Sequence, residues 1–338
     1  MIIDLRSDTF TKPNAAMLQA MYHAQVGDDV FGEDPTVNEL ERYCAELFNM
    51  EAAIFCPSGT MTNQIAIKCH TQPGDEVICD VLSHVYIYEG GGIAFNSGAQ
   101  VKAINGVRGL LVANDVEAAI NMEDVHKANT ALVCLENTGN RGGGSCYDFD
   151  EIVGIKKVCE VHGLKLHLDG ARLFNALVAT GQTALQYGNI FDSISICLSK
   201  GLGAPVGSIL LGNAAFIKKA RRIRKVFGGG MRQAGYIAAA GLYALHNNID
   251  RLAIDHFHAK QLAENLLRKS FVGKMMPVET NIVIFEISGK YTAQSFCDFM
   301  KTKGILCMAM SATIVRMVTH LDVSEDMIKY VLYVIEEM

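Results

Sequence analysis

The chain has no apolar run of the roughly 18 residues that a membrane-spanning helix needs, so no span is expected. Its N-terminus, MIIDLRSDTF, carries a charge by position 4 and has no apolar centre, so no secretory leader is expected there. Ten cysteines occur, but none forms a Cys-x-x-Cys pair, and Cys56, Cys79, Cys134 and Cys197 lie in apolar runs. That usage fits reduced, buried thiols and argues against a disulfide framework. Basic runs are scarce. RRIRK at 221–225 is the one dense cluster among 30 Lys+Arg against 36 Asp+Glu, with net charge −6, so no nucleic-acid partner is expected. GLGAPVG (201–207) is not G-x-G-x-x-G, and no G-x-x-x-x-G-K-[ST] loop occurs, which removes the usual nucleotide cradles. Repeats and low-complexity linkers are also missing. The expectation is a soluble, cytoplasmic protein.

What is present is alternation. Half of the 338 residues are hydrophobic, enough for one large domain and a smaller one. The segments 52–56, 75–80, 101–104, 131–137, 164–170, 193–199 and 207–212 read as strands, with helical spacing between most of them, as at 150–163. Continuous apolar strands alternating with helices predict an α/β fold with a mainly parallel sheet covered on both faces. After a helix rich in small residues at 234–248 the pattern changes. Strands at 280–288, 305–310 and 313–320, closed by a helix from Ser324, predict a smaller C-terminal α+β domain. The division is drawn at 1–249 and 250–338.

Ligands of open α/β sheets bind beyond the carboxyl ends of the strands, so polar residues there are the ones to question. After the first large-domain strand, Ser58, Gly59 and Thr60 offer hydroxyls and backbone N–H groups at a helix start, a ready phosphate site or simply a capped turn. Asp169 ends LKLHLDGAR with Arg172 three positions on; the pair is either structural or a carboxylate aimed at a protonated heterocyclic nitrogen. Lys200 ends SISICLSK, where desolvation would free a neutral, nucleophilic amine; the plainer alternative is a lysine that snorkels to solvent. A phosphate cradle, a strand-end Asp and a strand-end Lys in that order are what pyridoxal phosphate requires.

The blocks DLRSDTFTKP (4–13), VGDDVFGEDPTVNELE (26–41), PSGTMTNQ (57–64), HVYIYEGGG (84–92), LENT (135–138), HLDGARLFNA (167–176), SKGLGAPVGS (199–208) and GGGMRQAG (228–235) carry more. Together with RMVTHLD (316–322) they resemble the low-specificity L-threonine aldolases, β-eliminating lyases of the fold-type-I pyridoxal-phosphate enzymes, over nearly the whole chain. The resemblance implies that Lys200 bonds the cofactor, Asp169 partners its ring nitrogen with Arg172 alongside, and His84 stacks on the ring. Ser58, Gly59 and Thr60 would hold the phosphate, while Lys225 and Arg232 reach it from a neighbouring subunit of a homotetramer. Ser7 and Arg316 would bind the substrate carboxylate, for which a bidentate, permanently charged guanidinium is suited. His126 would stand near the substrate's β-substituent. Thr9 and Thr11 lie where some relatives hold a structural cation, although alternating threonines need no ion; no metal is assigned. His256 and His258 have no metal constellation around them and read as helix residues. Two positions depart from the family: Gly139 where relatives often have histidine, and Thr62 where glycine is common.

The implied reaction is retro-aldol cleavage of L-threonine or L-allo-threonine to glycine and acetaldehyde, with His84, His126 or a water as the base. A related β-elimination, or a phenylserine-type aldol cleavage, is the alternative within the same chemistry. A catalytically idle regulator is a third reading, disfavoured because Lys200, Asp169 and Arg316 are all present.

Overall fold

The computed structural model describes residues 2–338. Thirteen strands follow one another along the chain. They are β1 (Ile3–Asp4), β2 (Ala52–Cys56), β3 (Glu76–Asp80), β4 (Gln100–Ile104), β5 (Thr130–Glu136), β6 (Lys165–Gly170) and β7 (Ser193–Cys197). Then come β8 (Ser208–Gly212), β9 (Val272–Met275), β10 (Ile282–Ile287), β11 (Ile305–Leu306), β12 (Met308–Ala309) and β13 (Ile314–Val318).

Seven strands form the central sheet in the order β2-β8-β7-β6-β5-β3-β4. β3 to β7 run parallel, as their continuous apolar sequences predict. Ile78, Val133, Leu168, Ile194 and Leu211 are fully buried between covering helices. β8 is the exception, antiparallel to both β7 and β2. The connection 198–207 between β7 and β8 holds no helix and is too short for the crossover a parallel pair needs. Lys200 rides on that connection.

A second sheet, β12-β13-β10-β9, is antiparallel throughout and has its own core around Phe285, Phe296, Val315, Met317 and Ile328. The helix Leu252–Leu266 joins the two: Leu252 is buried in the large core, while Ala259, Leu262 and Leu266 belong to the smaller one. The expected strand at 305–310 is two strands because it changes partner. β11 pairs in parallel with β1, and β12 pairs with β13. The β1 pairing carries Ile3 and Leu5 into the smaller core, so the start of the chain packs with its end. β9 (VGKM) has too little apolar alternation to be read from sequence and is half to fully exposed. Among the described residues no helix is long and apolar enough to cross a membrane.

Because β7, β6 and β5 are neighbours, their carboxyl ends stand side by side. Glu136 and Asp169 are register partners there, and Lys200 follows beyond β7.

Candidate active site

Asp169 is 2% exposed at the end of β6. Its carboxylate accepts hydrogen bonds from Asn63 Nδ2 at 2.9 Å and from the Ala171 N–H at 3.1 Å. Asn63 sits on the helix Gly59–His70, whose first turn Ser58 caps by accepting from the Met61 N–H. That one amide also donates to Glu89 Oε1 at 2.9 Å, so it ties two buried carboxylates together. With both amide protons used, Asn63 Oδ1 must accept, and it does so from His167 Nε2 at 3.1 Å. His167 Nδ1 then accepts from Ser193 Oγ at 2.8 Å, which in turn accepts from His70. Burial pushes the His167 pKa down to about 4, so the ring is neutral, as this pattern of donors requires.

His84 opens a short helix at the far side of the same carboxylates. Its Nδ1 lies 2.9 Å from Glu89 Oε1, leaving Nε2 as the free ring nitrogen. Burial disfavours the imidazolium, but the Glu89 hydrogen bond and the Asp169 charge outweigh it and raise the His84 pKa. The His84 backbone N–H donates to Glu136 Oε2 at 2.6 Å, and the Asn140 N–H donates to Glu136 Oε1 at 2.8 Å. Burial, then repulsion from Asp169, pushes the Glu136 carboxyl up to about 7.

The opposite wall is cationic. Arg172 forms a bidentate pair with buried Asp8, both contacts at 2.7 Å. Burial opposes the Asp8 charge, yet Arg172 holds its carboxyl down at about 2. Arg316, 8% exposed on β13, donates to Asn140 Oδ1 and to the Arg6 carbonyl, both at 3.1 Å. Its Nε is buried without a partner, and its guanidinium forms no ion pair with a carboxylate among the described residues. Burial and the Arg172 charge lower its pKa, with Asp8 as the counterweight.

Ser7, His84, Asn140, Arg172, Lys200 and Arg316 line one cavity of about 430 Å³. Lys200 is half-buried, its Nζ 3.7 Å from Cys197 Sγ. Ser7 Oγ accepts from the Thr9 hydroxyl at 2.9 Å, and the Thr11 hydroxyl is engaged by the Asp8 and Lys200 carbonyls, both at 3.0 Å. Both threonines therefore have protein partners. Ser58 and Thr60 are exposed at the helix start, and a Cβ on Gly59 would lie 2.5 Å from Cys197 Sγ, so only glycine lets this turn approach β7 so closely.

Of the expected residues, Ser58, Gly59, Thr60 and Asp169 do not line this cavity, and three more lie away from it in the single chain. The His126 side chain is 86% exposed on the loop before β5 and bonds Asp124. Lys225 borders a separate cavity beside Asp29 and Phe31, and Arg232 pairs with Asp28 at 2.7 Å. Within RRIRK, Arg221 is held by Glu41, and Arg224 by Asp29 and the Phe55 carbonyl. Much of that basic cluster is internal wiring.

The β-eliminating lyase profile matches residues 4–290. The chain belongs to that family. It is 45% identical to the low specificity L-threonine aldolase of Escherichia coli over 96% of each chain. It is 43% identical to a probable low-specificity L-threonine aldolase 2 of Arabidopsis thaliana, covering 99% of this chain and 97% of the relative. Among solved structures, the Leishmania major threonine aldolase superposes with a TM-score of 0.86 at 23% identity, covering 99% of each chain. The fold is the fold-type-I architecture.

Measured against that family, the two sequence departures are accommodated locally. A Cβ at Gly139 would meet Ser145 Oγ at 2.5 Å and the Arg108 carbonyl at 3.1 Å, so this lyase packs the turn too tightly for a histidine there. Thr62 is fully buried, and its hydroxyl bonds Ser195 Oγ at 2.6 Å and the Gly59 carbonyl at 2.8 Å. Sequence reading missed Asp8, Asn63, Glu89, Glu136 and Asn140, which hold the named residues in place. Glu136 was visible only as a lone acid ending an apolar run, and Asp8 only as one charge among several near the N-terminus.

Proposed function

We propose that the protein cleaves L-threonine and L-allo-threonine, and related β-hydroxy-α-amino acids, to glycine and an aldehyde with pyridoxal phosphate as cofactor. The observation that carries this reading is Arg316: a buried guanidinium with an unpartnered Nε, facing the same cavity as Lys200 and lacking a carboxylate of its own. A substrate carboxylate supplies the missing anion.

The residues present fit the cofactor. Asp169 accepts one hydrogen bond on each carboxylate oxygen, so lone pairs remain for a protonated ring nitrogen. Ser58, Gly59 and Thr60 would hold the phosphate at an open helix start, Lys200 would bond the cofactor, and His84 would cover the ring. Lys225 and Arg232 would come to the phosphate from a second copy in a homotetramer. When bound, pyridoxal phosphate supplies the electron sink for the pair released as the Cα–Cβ bond breaks.

The chain's own groups do the rest. Arg316 and Ser7 fix the carboxylate and so choose which bond at Cα is aligned for cleavage. Glu89 holds His84 with its Nδ1 proton inward, so Nε2 presents a lone pair to the cavity. His84 Nε2 takes the β-hydroxyl proton, and its raised pKa makes it a stronger base. Asp169, accepting from Asn63 and Ala171, would partner the ring nitrogen.

The test is direct. The purified protein should carry the cofactor's visible absorbance and release glycine plus aldehyde from L-threonine, L-allo-threonine and phenylserine, and Lys200→Ala should lose both properties. The corresponding 2-oxo acid and ammonia as the products (2-oxobutanoate from the threonines, phenylpyruvate from phenylserine) would mean elimination instead, and activity surviving Lys200→Ala would overturn the mechanism.

A further inference from the structure

One thiol pair in the smaller domain plays no part in this chemistry. Cys297 lies on the helix Ala293–Thr302, and Cys307 joins β11 to β12. The Cys307 thiol donates to the Cys297 sulfur at 3.4 Å, the one thiol–thiol contact among the described residues. Other cysteines are inert by comparison: burial pushes Cys56, Cys79 and Cys159 up to about 12. The hydrogen bond from Cys307 instead lowers the Cys297 pKa against the effect of burial. Cys307 is half-buried, so a small oxidant reaches the pair.

We propose that Cys297 and Cys307 are a redox modification site, closed to an intramolecular disulfide by a peroxide. The Cys297 thiolate attacks one peroxide oxygen, the O–O bond breaks, and the departing hydroxide takes up a proton to leave as water. The Cys307 sulfur then displaces the hydroxyl from the Cys297 sulfenic acid, forming the S–S bond and a second water. The two sulfurs give up two electrons, and both thiol protons leave in the waters.

The pair is connected to the active site. Met308, Ala309 and Met310 follow Cys307 directly and line the Lys200 cavity. Met308 is the register partner of Arg316, with its sulfur 3.8 Å from Arg316 Nη2. Closing the sulfurs from 3.4 Å to the roughly 2 Å of a disulfide pulls on the segment that borders Arg316. Oxidation therefore weakens carboxylate binding; this consequence, unlike the disulfide itself, rests on the aldolase reading.

The cofactor-loaded protein is treated with hydrogen peroxide, alkylated, and digested without reduction for mass spectrometry. The expected result is a cross-linked peptide joining Cys297 to Cys307, lighter by two hydrogens, with both thiols lost to alkylation and restored by dithiothreitol. In the same samples KM for the amino acid rises several-fold with kcat little changed, whereas Cys297→Ser and Cys297→Ala keep the reduced values after peroxide. Oxidation of Cys69 or Cys146 without this cross-link overturns the site. A cross-link with unmoved KM overturns its coupling to Arg316, and the peptide is readable whether or not threonine proves to be a substrate.

Discussion

Glu136 shows how much of this site depends on residues that no motif advertises. Its carboxylate receives the backbone N–H groups of His84 and Asn140, and through Asn140 it indirectly positions Arg316. It does so beside Asp169 and fully buried, which pushes its pKa from an ordinary 4.5 up to about 7. The folded state therefore holds a proton that the unfolded chain releases near 4.5, so the Glu136 contribution is fully present below that pH and is lost as pH rises through about 7. E136Q does not titrate, but it accepts through one oxygen only, so its amide nitrogen faces one of the two N–H donors and the variant carries a pH-independent penalty. Urea unfolding of the cofactor-free protein should show the wild type losing stability relative to the variant by on the order of 3 kcal/mol between pH 5 and pH 8. A wild-type advantage that grows with pH would refute this assignment. The strand-end residues Lys200 and Asp169 were legible because a charge at the end of a buried strand is conspicuous. Asp8 was not, because its partner Arg172 lies 164 positions away and nothing in local periodicity pairs them.

At the scale of elements, the helix Gly59–His70 and strand β7 form one unit that sets the height of the proposed phosphate cradle. Three contacts along β7 fix the helix: Gly59 over Cys197, Thr62 on Ser195, and His70 on Ser193. These three strand positions share one face because side chains alternate along a strand. Adding a methyl at Gly59 places it 2.5 Å from Cys197 Sγ, so either the helix start or the strand must shift. Overpacking of this kind costs about 1–3 kcal/mol, and here the strain falls on the turn that would bind phosphate. Gly59→Ala should therefore weaken pyridoxal-phosphate binding by roughly tenfold or more, read by absorbance titration, while Gly59→Ala with Cys197→Ala recovers part of it. Unchanged affinity in the single variant would remove Gly59 from the cradle. Most strands of this sheet were readable from their unbroken apolar runs. The reversed direction of β8 was not read, although the helix-free connection at 198–207 already required a hairpin. β9 and the division of 305–310 into two strands were beyond sequence, because pairing partners rather than composition define them.

At the scale of the whole molecule, one chain leaves the proposed phosphate end open. Ser58 and Thr60 are exposed, while Lys225 and Arg232 sit outside the Lys200 cavity, beside solvent-facing Phe31 (73% exposed) and Val226 (80% exposed). Apolar side chains this exposed next to a cationic rim are the composition expected where the proposed second copy docks. If each site takes Lys200 from one copy and Lys225 from another, two crippled variants can repair each other. In a hybrid of Lys200→Ala with Lys225→Ala, one site carries both lesions and the other carries neither. Each variant alone should have little activity, the lysine-200 variant essentially none. Co-expression, with random pairing across a two-fold interface, should restore about a quarter of the wild-type rate, since about half the pairs are hybrids with one intact site each. Separately purified proteins mixed without exchange of subunits give no recovery and serve as the control. Absence of recovery in hybrids verified by differential tagging would show that Lys225 serves its own chain. The Gly228–Gly230 turn, which packs on Met61 within the same protomer, would then be the element to follow.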